Sequence, residues 1–359
     1  MKKKLFSKIL ITGGAGFVGS NLAIFLKKDF PKTEVICLDN LKRRGSELSI
    51  SRLKENNILF FHGDIRNKED LQGIKNVDVL IECSAEPSVL AGYDGSPEYL
   101  INTNLMGTLN CLELARKNKS MFIFLSTSRV YPTKTLNSLD LEESDSRFEI
   151  KHQQPFQGIS DKGVSENFPL EGSRSLYGAT KLASEIIINE YASAFNLKTV
   201  INRCGVITGP WQMGKIDQGV VVLWAAKHFF KGKLSYIGFG GLGKQVRDIL
   251  HVKDLYDLIK LQLTNINKFS GETYNVGGGR NVSISLKELT EICQKHTKNK
   301  LNISKVLENR NQDVPVYITD ISKINKLCGW KPKIKPEEIL KEVFLWLKKN
   351  EKQLKPILK

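Results

Sequence analysis

The chain has 359 residues, which exceeds one average domain, so we expect a large domain with a smaller one appended. Its formal net charge of +16 comes mostly from lysines spread along the sequence, without the arginine–aromatic interleaving of a nucleic-acid module. This pattern indicates a solvated surface that attracts anionic substrates, and it argues against a nucleic-acid partner. No apolar run approaches the roughly 18 residues of a membrane span, so we predict no membrane partner.

The N-terminus and the cysteines both favour a cytoplasmic protein. Met1–Lys4 form a basic leader before a short apolar run, without the longer apolar segment and cleavage site of a signal peptide. The cysteines show no Cys-x-x-Cys spacing, and several fall inside apolar runs. Buried reduced thiols therefore fit better than disulfides, and we predict no metal site. The six cysteines are Cys37, Cys83, Cys111, Cys204, Cys293 and Cys328.

A glycine-rich loop, residues 13–19, follows the first predicted strand, Lys8–Thr12, and leads into an amphipathic helix over Ser20–Asp29. Glycines in this position permit a tight turn and let backbone N–H groups approach a pyrophosphate. The helix N-terminus adds about half a positive charge. We predict that the loop binds a dinucleotide through Gly13, Gly16, Phe17, Val18 and Gly19.

An acidic residue after the second predicted strand, Glu34–Leu38, favours NAD over NADP. Asp39 lies twenty residues beyond Gly19, where a carboxylate bonds both ribose hydroxyls of NAD and repels a 2′-phosphate. Arg43 and Arg44 follow closely, so NADP stays the alternative. Asp64 and Ile65, after a third strand, could hold an adenine.

Strands alternate with helices along the first half of the chain. Such alternation, with right-handed crossovers, predicts an α/β fold with a doubly wound parallel sheet of the Rossmann type. After the sixth strand the sequence becomes more broken, which predicts a smaller C-terminal α/β substrate domain. We place the NAD-binding domain at residues 1–205, with 245–278 returning to it, and the substrate domain at 206–244 and 279–359. The further predicted elements are strands Ile58–His62, Val77–Glu82, Met121–Ser126, Lys198–Arg203 and Glu272–Val276, and helices Pro97–Asn118 and Glu337–Lys349.

Tyr177 and Lys181 are four residues apart on one face of a predicted helix, so both tips can reach the same small molecule. The pair alone is a weak signal. Thr127 adds a hydroxyl at the carboxyl end of a central strand, where such sheets bind ligands. Residues 132–174, between Thr127 and this helix, are long, polar and without clear periodicity, and we predict a lid there.

Together these motifs resemble the extended short-chain dehydrogenases, and among them the nucleotide-sugar epimerases and dehydratases. Arg247-Asp248 in an Arg-Asp-x-x-x-Val frame, and Arg310 with Asp313, strengthen the resemblance. It implies NAD as the cofactor, a nucleotide-diphosphate sugar as the substrate, and a homodimer or homotetramer formed by the helices near 98–117 and 176–195. The further cofactor contacts that it implies are Asn40, Ser84, Ala85, Asn104, Tyr177 and Lys181.

The resemblance also assigns roles to the candidate active-site residues. Tyr177 would remove the proton of a sugar hydroxyl, Thr127 would orient that hydroxyl, and Lys181 would hold the nicotinamide ribose. Because tyrosine titrates near 10 in water, this base needs about 4 kcal/mol of phenolate stabilisation, which Lys181 and the cofactor's positive ring could supply. Arg247 and Arg310 would bind the diphosphate, with salt bridging as the alternative for each. Gln218 would touch the base or sugar, or only stabilise its loop.

Several segments resemble, within this family, the 2-epimerases of CDP-linked sugars. Ser128-Arg129 follows Thr127 where the dehydratases carry an Asp-Glu pair, and arginine cannot act as a general base at neutral pH. A 2-epimerase acting on a CDP-sugar is therefore favoured. A UDP-sugar 4-epimerase or decarboxylase and a non-catalytic NAD-bound scaffold or sensor are the alternatives. The resembling segments are Asp39-Asn40-Leu41, Arg44-Gly45, residues 62–68, Asp217-Gln218-Gly219 and residues 243–248.

The chain departs from the wider family in three places. Glu82-Cys83-Ser84-Ala85 replaces a usual His-Leu-Ala-Ala run. Val206 stands where an asparagine often contacts substrate, and Pro132 follows Val130-Tyr131 where glycine is usual. These departures concern the pocket that faces the sugar.

Overall fold

The computed structural model describes residues 5–215 and 218–359. The predicted basic leader, Met1–Lys4, and Asp217 of the resembling loop lie outside the described residues. The chain folds into two compact units that alternate along the sequence, and the domain boundaries given above stay a prediction. The first unit contains the chain up to Val130, Leu176–Arg203 and Leu255–Tyr274, and the second contains Tyr131–Ser175, Cys204–Asp254 and Asn275–Lys359.

The strands follow short apolar runs that are rich in β-branched and aromatic residues. The main strands agree with their predictions to within two residues at each end. Within the described ranges they are β1 (Lys8–Thr12), β2 (Glu34–Asp39), β3 (Leu59–His62), β4 (Val79–Glu82), β5 (Met121–Thr127), β6 (Leu141–Glu143), β7 (Phe148–Ile150), β8 (Ile159–Ser160), β9 (Gly163–Val164), β10 (Thr199–Cys204), β11 (Val206–Thr208), β12 (Leu234–Ile237), β13 (Val246–His251), β14 (Glu272–Val276), β15 (Ser283–Ser285), β16 (Ile303–Val306) and β17 (Val316–Tyr317).

Local chemistry marks several helix boundaries. Ser285 starts one helix with a capping box, in which its hydroxyl accepts the Glu288 N–H at 3.0 Å and its own N–H donates to Glu288 Oε2 at 2.9 Å. Pro336 occupies the first turn of another. The helices are α1 (Phe17–Asp29), α2 (Ser49–Glu55), α3 (Lys68–Gln72), α4 (Glu98–Ile101), α5 (Gly107–Asn118), α6 (Thr133–Asn137), α7 (Leu176–Phe195), α8 (Val220–Phe230), α9 (Val252–Thr264), α10 (Ile266–Phe269), α11 (Leu286–Thr297), α12 (Ser322–Cys328), α13 (Pro336–Lys349) and α14 (Glu351–Leu358).

A parallel sheet of seven described strands forms the centre of the first unit, in the order β14-β10-β5-β4-β1-β2-β3. Both directions of winding start from β1, which pairs with β2 on one side and with β4 on the other. The predicted doubly wound Rossmann sheet is therefore confirmed. One face of the sheet packs against α5 and α7, and the buried side chains there include Leu10, Phe122, Phe124, Leu112 and Ile188.

The helix predicted over Pro97–Asn118 is interrupted by a wider turn. Regular helix, α4, gives way to a π-helical turn at Asn102–Met106, after which α5 continues to Asn118. Such turns occur often at functional sites and hold one residue more than the α-helical turn. Apolar periodicity does not reveal the extra residue, because the flanking helices keep their own pattern.

The segment predicted as a lid, residues 132–174, has regular secondary structure and belongs to the second unit. It forms the short helix α6 and two hairpins, β6–β7 and β8–β9. Val164 donates to the Ile318 carbonyl at 2.8 Å, and Ile150 packs with Val246, Val316 and Ile318. These partners lie far away in the sequence, so local patterning could not indicate them.

The second unit contains a four-stranded sheet in the described residues, in which β13 pairs with β11, β15 and β17. Helices α8, α11 and α13 pack together, and the Trp224 indole donates to Thr290 Oγ1 at 2.8 Å. No helix in the described part of the chain is long and apolar enough to span a bilayer. Cys37, Cys111, Cys204 and Cys293 are buried thiols.

Candidate active site

The glycine loop between β1 and α1 is closed so tightly that side chains do not fit at Gly13, Gly14 and Gly19. A Cβ atom at Gly19 would lie 2.3 Å from the Gly13 carbonyl oxygen, and one at Gly14 would lie 2.4 Å from the Cys37 Cβ. Gly13 has a φ of +65°, which favours glycine. Phe17 and Val18 begin α1 directly behind the loop. This cradle of backbone atoms at a helix N-terminus fits a pyrophosphate.

Asp39 ends β2 and is fixed by the same loop. Its Oδ2 accepts the Ala15 N–H at 3.1 Å, and its Oδ1 accepts the Leu41 N–H at 2.8 Å. Burial raises the pKa of Asp39, although these backbone donors act in the opposite direction. The carboxylate is half-buried, so it is held in place and still accessible to a ligand.

Asp64 and Asn40 form a second polar group beside Asp39. Asn40 donates to Asp64 Oδ2 at 2.8 Å, and the Arg66 guanidinium pairs with the same oxygen at 2.7 Å. Burial would raise the pKa of Asp64, but the hydrogen bonds from Arg66 and Asn40 outweigh it and hold the pKa at about 2. Asp64 is therefore ionised at neutral pH. The next residue, Ile65, is buried against Gly107 of α5, where a Cβ would lie 2.5 Å from its Cδ1.

Ser84 and Ala85 continue the chain beyond β4, and the Ser84 backbone lies next to the glycine loop. A Cβ at Gly13 would be 2.8 Å from the Ser84 nitrogen. Asn104, in the π-helical turn, fixes Glu86, the residue after Ala85. Its Oδ1 accepts the Glu86 N–H at 2.8 Å, and its Nδ2 donates to the Glu86 carbonyl at 3.1 Å. Nδ2 also donates to Thr180 Oγ1 at 3.2 Å, so Asn104 links this segment to α7.

Thr127, Tyr177 and Lys181 are all in the first unit. Thr127 is the last residue of β5, and its Oγ1 accepts the Arg129 N–H at 3.2 Å. Helix α7 carries Tyr177 in its first turn and packs against both the turn after Thr127 and the π-helical turn. Lys181 is only 1% exposed, with its Nζ 3.7 Å from the centroid of the Phe124 ring. The predicted roles of these side chains stay predictions.

A buried ion pair supports this region, and sequence reasoning missed it. The Arg203 guanidinium donates to Glu185 Oε2 at 2.7 Å, and the Glu185 carboxylate also accepts the hydroxyl of Ser126. The two charged side chains are only 8% and 3% exposed. Glu185 follows Lys181 by four residues on α7, so helical spacing could have placed it on the inner face.

Of the predicted substrate residues, Thr127 lies in the first unit, and Gln218, Arg247 and Arg310 belong to the second. Arg247, on β13, donates to Asp313 Oδ1 and to the Val314 carbonyl, both at 2.7 Å. The Asp313 N–H donates to the Arg310 carbonyl at 3.2 Å, so the structure brings Arg247 near the 310–314 turn. The backbone of Gln218 exchanges two hydrogen bonds with that of Lys215, at 2.6 Å and 3.2 Å.

Comparison with known proteins decides the family. The model of the NAD-dependent epimerase/dehydratase family matches residues 9–277 of the chain. The chain belongs to this family. Its cofactor is NAD, and the glycine cradle together with Asp39 fits that dinucleotide.

Relatives in the family carry several different activities. CDP-paratose 2-epimerase from Salmonella typhi is 31% identical over 94% of this chain and 98% of its own length. UDP-glucuronate 4-epimerase from Thermodesulfobacterium geofontis is 28% identical over 97% of this chain and 98% of its own. A crystal structure of dTDP-glucose 4,6-dehydratase from Bacillus anthracis in complex with NAD covers 98% of this chain and 99% of its own, with a TM-score of 0.77 and 26% identity. This family member is therefore similar to epimerases and dehydratases of nucleotide sugars.

Proposed function

We propose that the chain is an NAD-dependent nucleotide-sugar epimerase of the CDP-paratose 2-epimerase type. The main support is the turn after Thr127, where Ser128 and Arg129 replace an acid–base pair while Tyr177 and Lys181 are retained on α7. Elimination of water needs such a pair, whereas epimerisation through a transient ketone does not. The similarity to CDP-paratose 2-epimerase over nearly the full length of both chains adds support.

The proposed mechanism divides the work among three side chains. Tyr177 removes the proton from the sugar hydroxyl and returns it after the carbon has been inverted. Thr127 donates or accepts a hydrogen bond with that hydroxyl and orients it towards Tyr177, while the buried Lys181 ammonium stabilises the phenolate and holds the nicotinamide ribose. Bound NAD supplies the redox chemistry, in which a hydride leaves the carbon and returns to the opposite face.

In the second unit we propose that Arg247 and Arg310 bind the diphosphate of the substrate and that Gln218 contacts its base or sugar. Guanidinium groups suit phosphate oxygens because their donors form a planar fork. The support for Arg247 is its fixed orientation: Asp313 pairs with it at 2.7 Å, with the two side chains 16% and 21% exposed. The ion pair that was the alternative for Arg247 is thus present, and phosphate binding by Arg247 stays a proposal.

We predict that the chain interconverts a CDP-linked dideoxyhexose and its C2 epimer, which can be followed by NMR alongside UDP-, GDP- and dTDP-sugars. Deuterium at C2 should slow turnover, because the C2–D bond breaks in the proposed step, and deuterium at C4 should leave the rate unchanged. Slowing by the C4 label alone on a UDP-sugar would identify a 4-epimerase instead. If no sugar turns over although NAD binds, the chain is the non-catalytic scaffold or sensor.

A homodimer is proposed from the helices that the family resemblance singled out. Large apolar side chains on them face solvent, with Ile186 59%, Phe195 51% and Met106 44% exposed. Charging this surface by Ile186→Glu should give monomers in sedimentation equilibrium, because an uncompensated carboxylate opposes burial. The exposed Leu345 of α13, at 60%, provides the control Leu345→Glu, which should leave the association state unchanged. An Ile186→Glu variant that sediments like the wild type argues against an interface formed by these helices. A wild-type particle with twice the mass of a dimer indicates a tetramer.

A further inference from the structure

A row of three paired residues crosses the central sheet beside Lys181. In the strand registers Glu82 of β4 is opposite Thr12 of β1 and Phe124 of β5. Residues paired in this way point to the same face, and neighbouring strands are about 4.8 Å apart. Lys181 lies with its Nζ 3.7 Å from the Phe124 ring centroid. The ammonium group is also close enough to Glu82 for its charge to act on the pKa of that carboxyl group.

The hydrogen bonds of Glu82 depend on whether its carboxyl group carries a proton. The Thr108 Oγ1 lies 2.6 Å from Glu82 Oε1 and 2.8 Å from the Asn104 carbonyl oxygen. A hydroxyl has a single proton to donate. If Glu82 is protonated, it donates to Thr108 and Thr108 donates to Asn104. If Glu82 is ionised, Thr108 turns towards it and releases the Asn104 carbonyl, which then shares the Ser184 hydroxyl, 2.9 Å away, with the Thr180 carbonyl, 3.0 Å from the same Oγ.

Both states are accessible near neutrality. Complete burial raises the pKa of Glu82 to about 7, while the Lys181 charge and the Thr108 hydrogen bond act in the opposite direction. Oε2 is buried and has no hydrogen-bond partner in the described part of the chain, which disfavours the charged form. The native protein therefore holds this proton as the pH rises to about 7 and releases it above. Two titratable groups, Lys181 and Cys111, face the Glu82 carboxyl group. The side chains around Glu82 are Thr12 from β1, Phe124 from β5, Thr108 and Cys111 from α5, and Lys181 from α7.

We propose that Glu82 is a positioning residue whose exchangeable proton sets both the direction of the Thr108–Asn104 hydrogen bond and the strength with which Lys181 acts on Tyr177. An ionised Glu82 offsets the ammonium charge, so the Tyr177 phenol becomes harder to ionise. A protonated Glu82 leaves that charge unopposed and makes the phenol more acidic. The effect on Tyr177 and on turnover rests on the proposed function. The titration of Glu82 and its effect on the Thr108 hydrogen bond do not.

Infrared difference spectroscopy of the NAD-bound protein tests the proton directly. The C=O band of a protonated, buried carboxylic acid should disappear as the pH is raised through neutrality in the wild type, and it should be absent in Glu82→Gln. Lys181→Met and Thr108→Val should each move the midpoint of this titration to higher pH, because both groups favour the ionised form. Glu34→Gln, at an exposed strand end, is the matched control and should leave the band in place.

Activity provides the second readout. In Glu82→Gln the ionisation of Glu82 near neutrality should vanish from the pH profile of kcat/KM. The part of the profile that reflects the ionisation of Tyr177 should move to lower pH. A band that persists in Glu82→Gln, or a midpoint that is the same in Lys181→Met and the wild type, would overturn the proposal. If the wild type epimerises no nucleotide sugar, the proposed function fails, but the infrared titration still decides the role of Glu82.

Discussion

Replacing Tyr177 by phenylalanine should lower kcat about 10²- to 10⁴-fold, the usual contribution of a positioned general acid–base group. The side chain keeps its ring, so α7 and its packing against the turn after Thr127 should persist. Calorimetric titration with NAD should therefore give nearly the wild-type affinity. The rate is measured by NMR on the best nucleotide sugar. Such a separation of rate from cofactor binding would place the phenol in the reaction rather than in the fold.

Tyr191 provides the matched control, since it lies on the same helix. Its hydroxyl donates to Glu113 Oε1 at 2.8 Å. Burial and the Glu113 charge raise the pKa of Tyr191 to about 12, so it is a poor base at neutral pH. Tyr191→Phe should leave kcat unchanged and lose about 1 kcal/mol of stability with the hydrogen bond. An unchanged rate in Tyr177→Phe on every sugar that turns over would contradict the mechanism.

Replacing Glu185 by alanine should lower the free energy of unfolding by about 3–5 kcal/mol. The variant leaves the Arg203 guanidinium, 8% exposed, without its carboxylate partner in the interior. It also removes the acceptor of the Ser126 hydroxyl, one residue before Thr127. Denaturant titration monitored by circular dichroism measures the loss. A fall in kcat of the remaining folded protein would show that the pair also steadies the end of β5.

Two further variants separate ion pairing from burial. Glu34→Ala removes the partner of Lys8 at 3.0 Å, where the side chains are 44% and 25% exposed, and should lose only about 0–1 kcal/mol. The double change Glu185→Leu with Arg203→Met should restore much of the stability, since an apolar pair of similar volume avoids the desolvation of two charges. If Glu185→Ala is no less stable than Glu34→Ala, the buried pair contributes little.

Features that depend on local spacing were predictable from the sequence. The strand–glycine–helix order located the loop, and the structure places Asp39 against it through the Ala15 N–H. The same logic placed Thr127 at the end of β5 and Tyr177 with Lys181 on one helix. In each case a few consecutive residues define both the element and the direction in which the side chain points.

Features that depend on distant partners were not predictable. In the sequence, Glu82 is recognisable only as an unusual residue at the end of β4, because Thr108 and Lys181 lie 26 and 99 positions further along the chain. The segment predicted as a lid is ordered by partners such as Ile318, more than 150 positions beyond Val164. Pairing between such positions follows from the completed fold, and no window of local sequence contains it.

The π-helical turn at Asn102–Met106 limits how the gene for this chain can change. Each residue of an α-helix advances the side chain about 100° around the axis. Because the turn holds one residue more than an α-helical turn, losing one codon there would leave a regular helix in which the remaining residues of the turn change position, and Asn104 would separate from Glu86. Substitutions at an exposed position such as Met106 keep the spacing. The turn thus acts as a spacer that carries Asn104, so both its length and that residue matter.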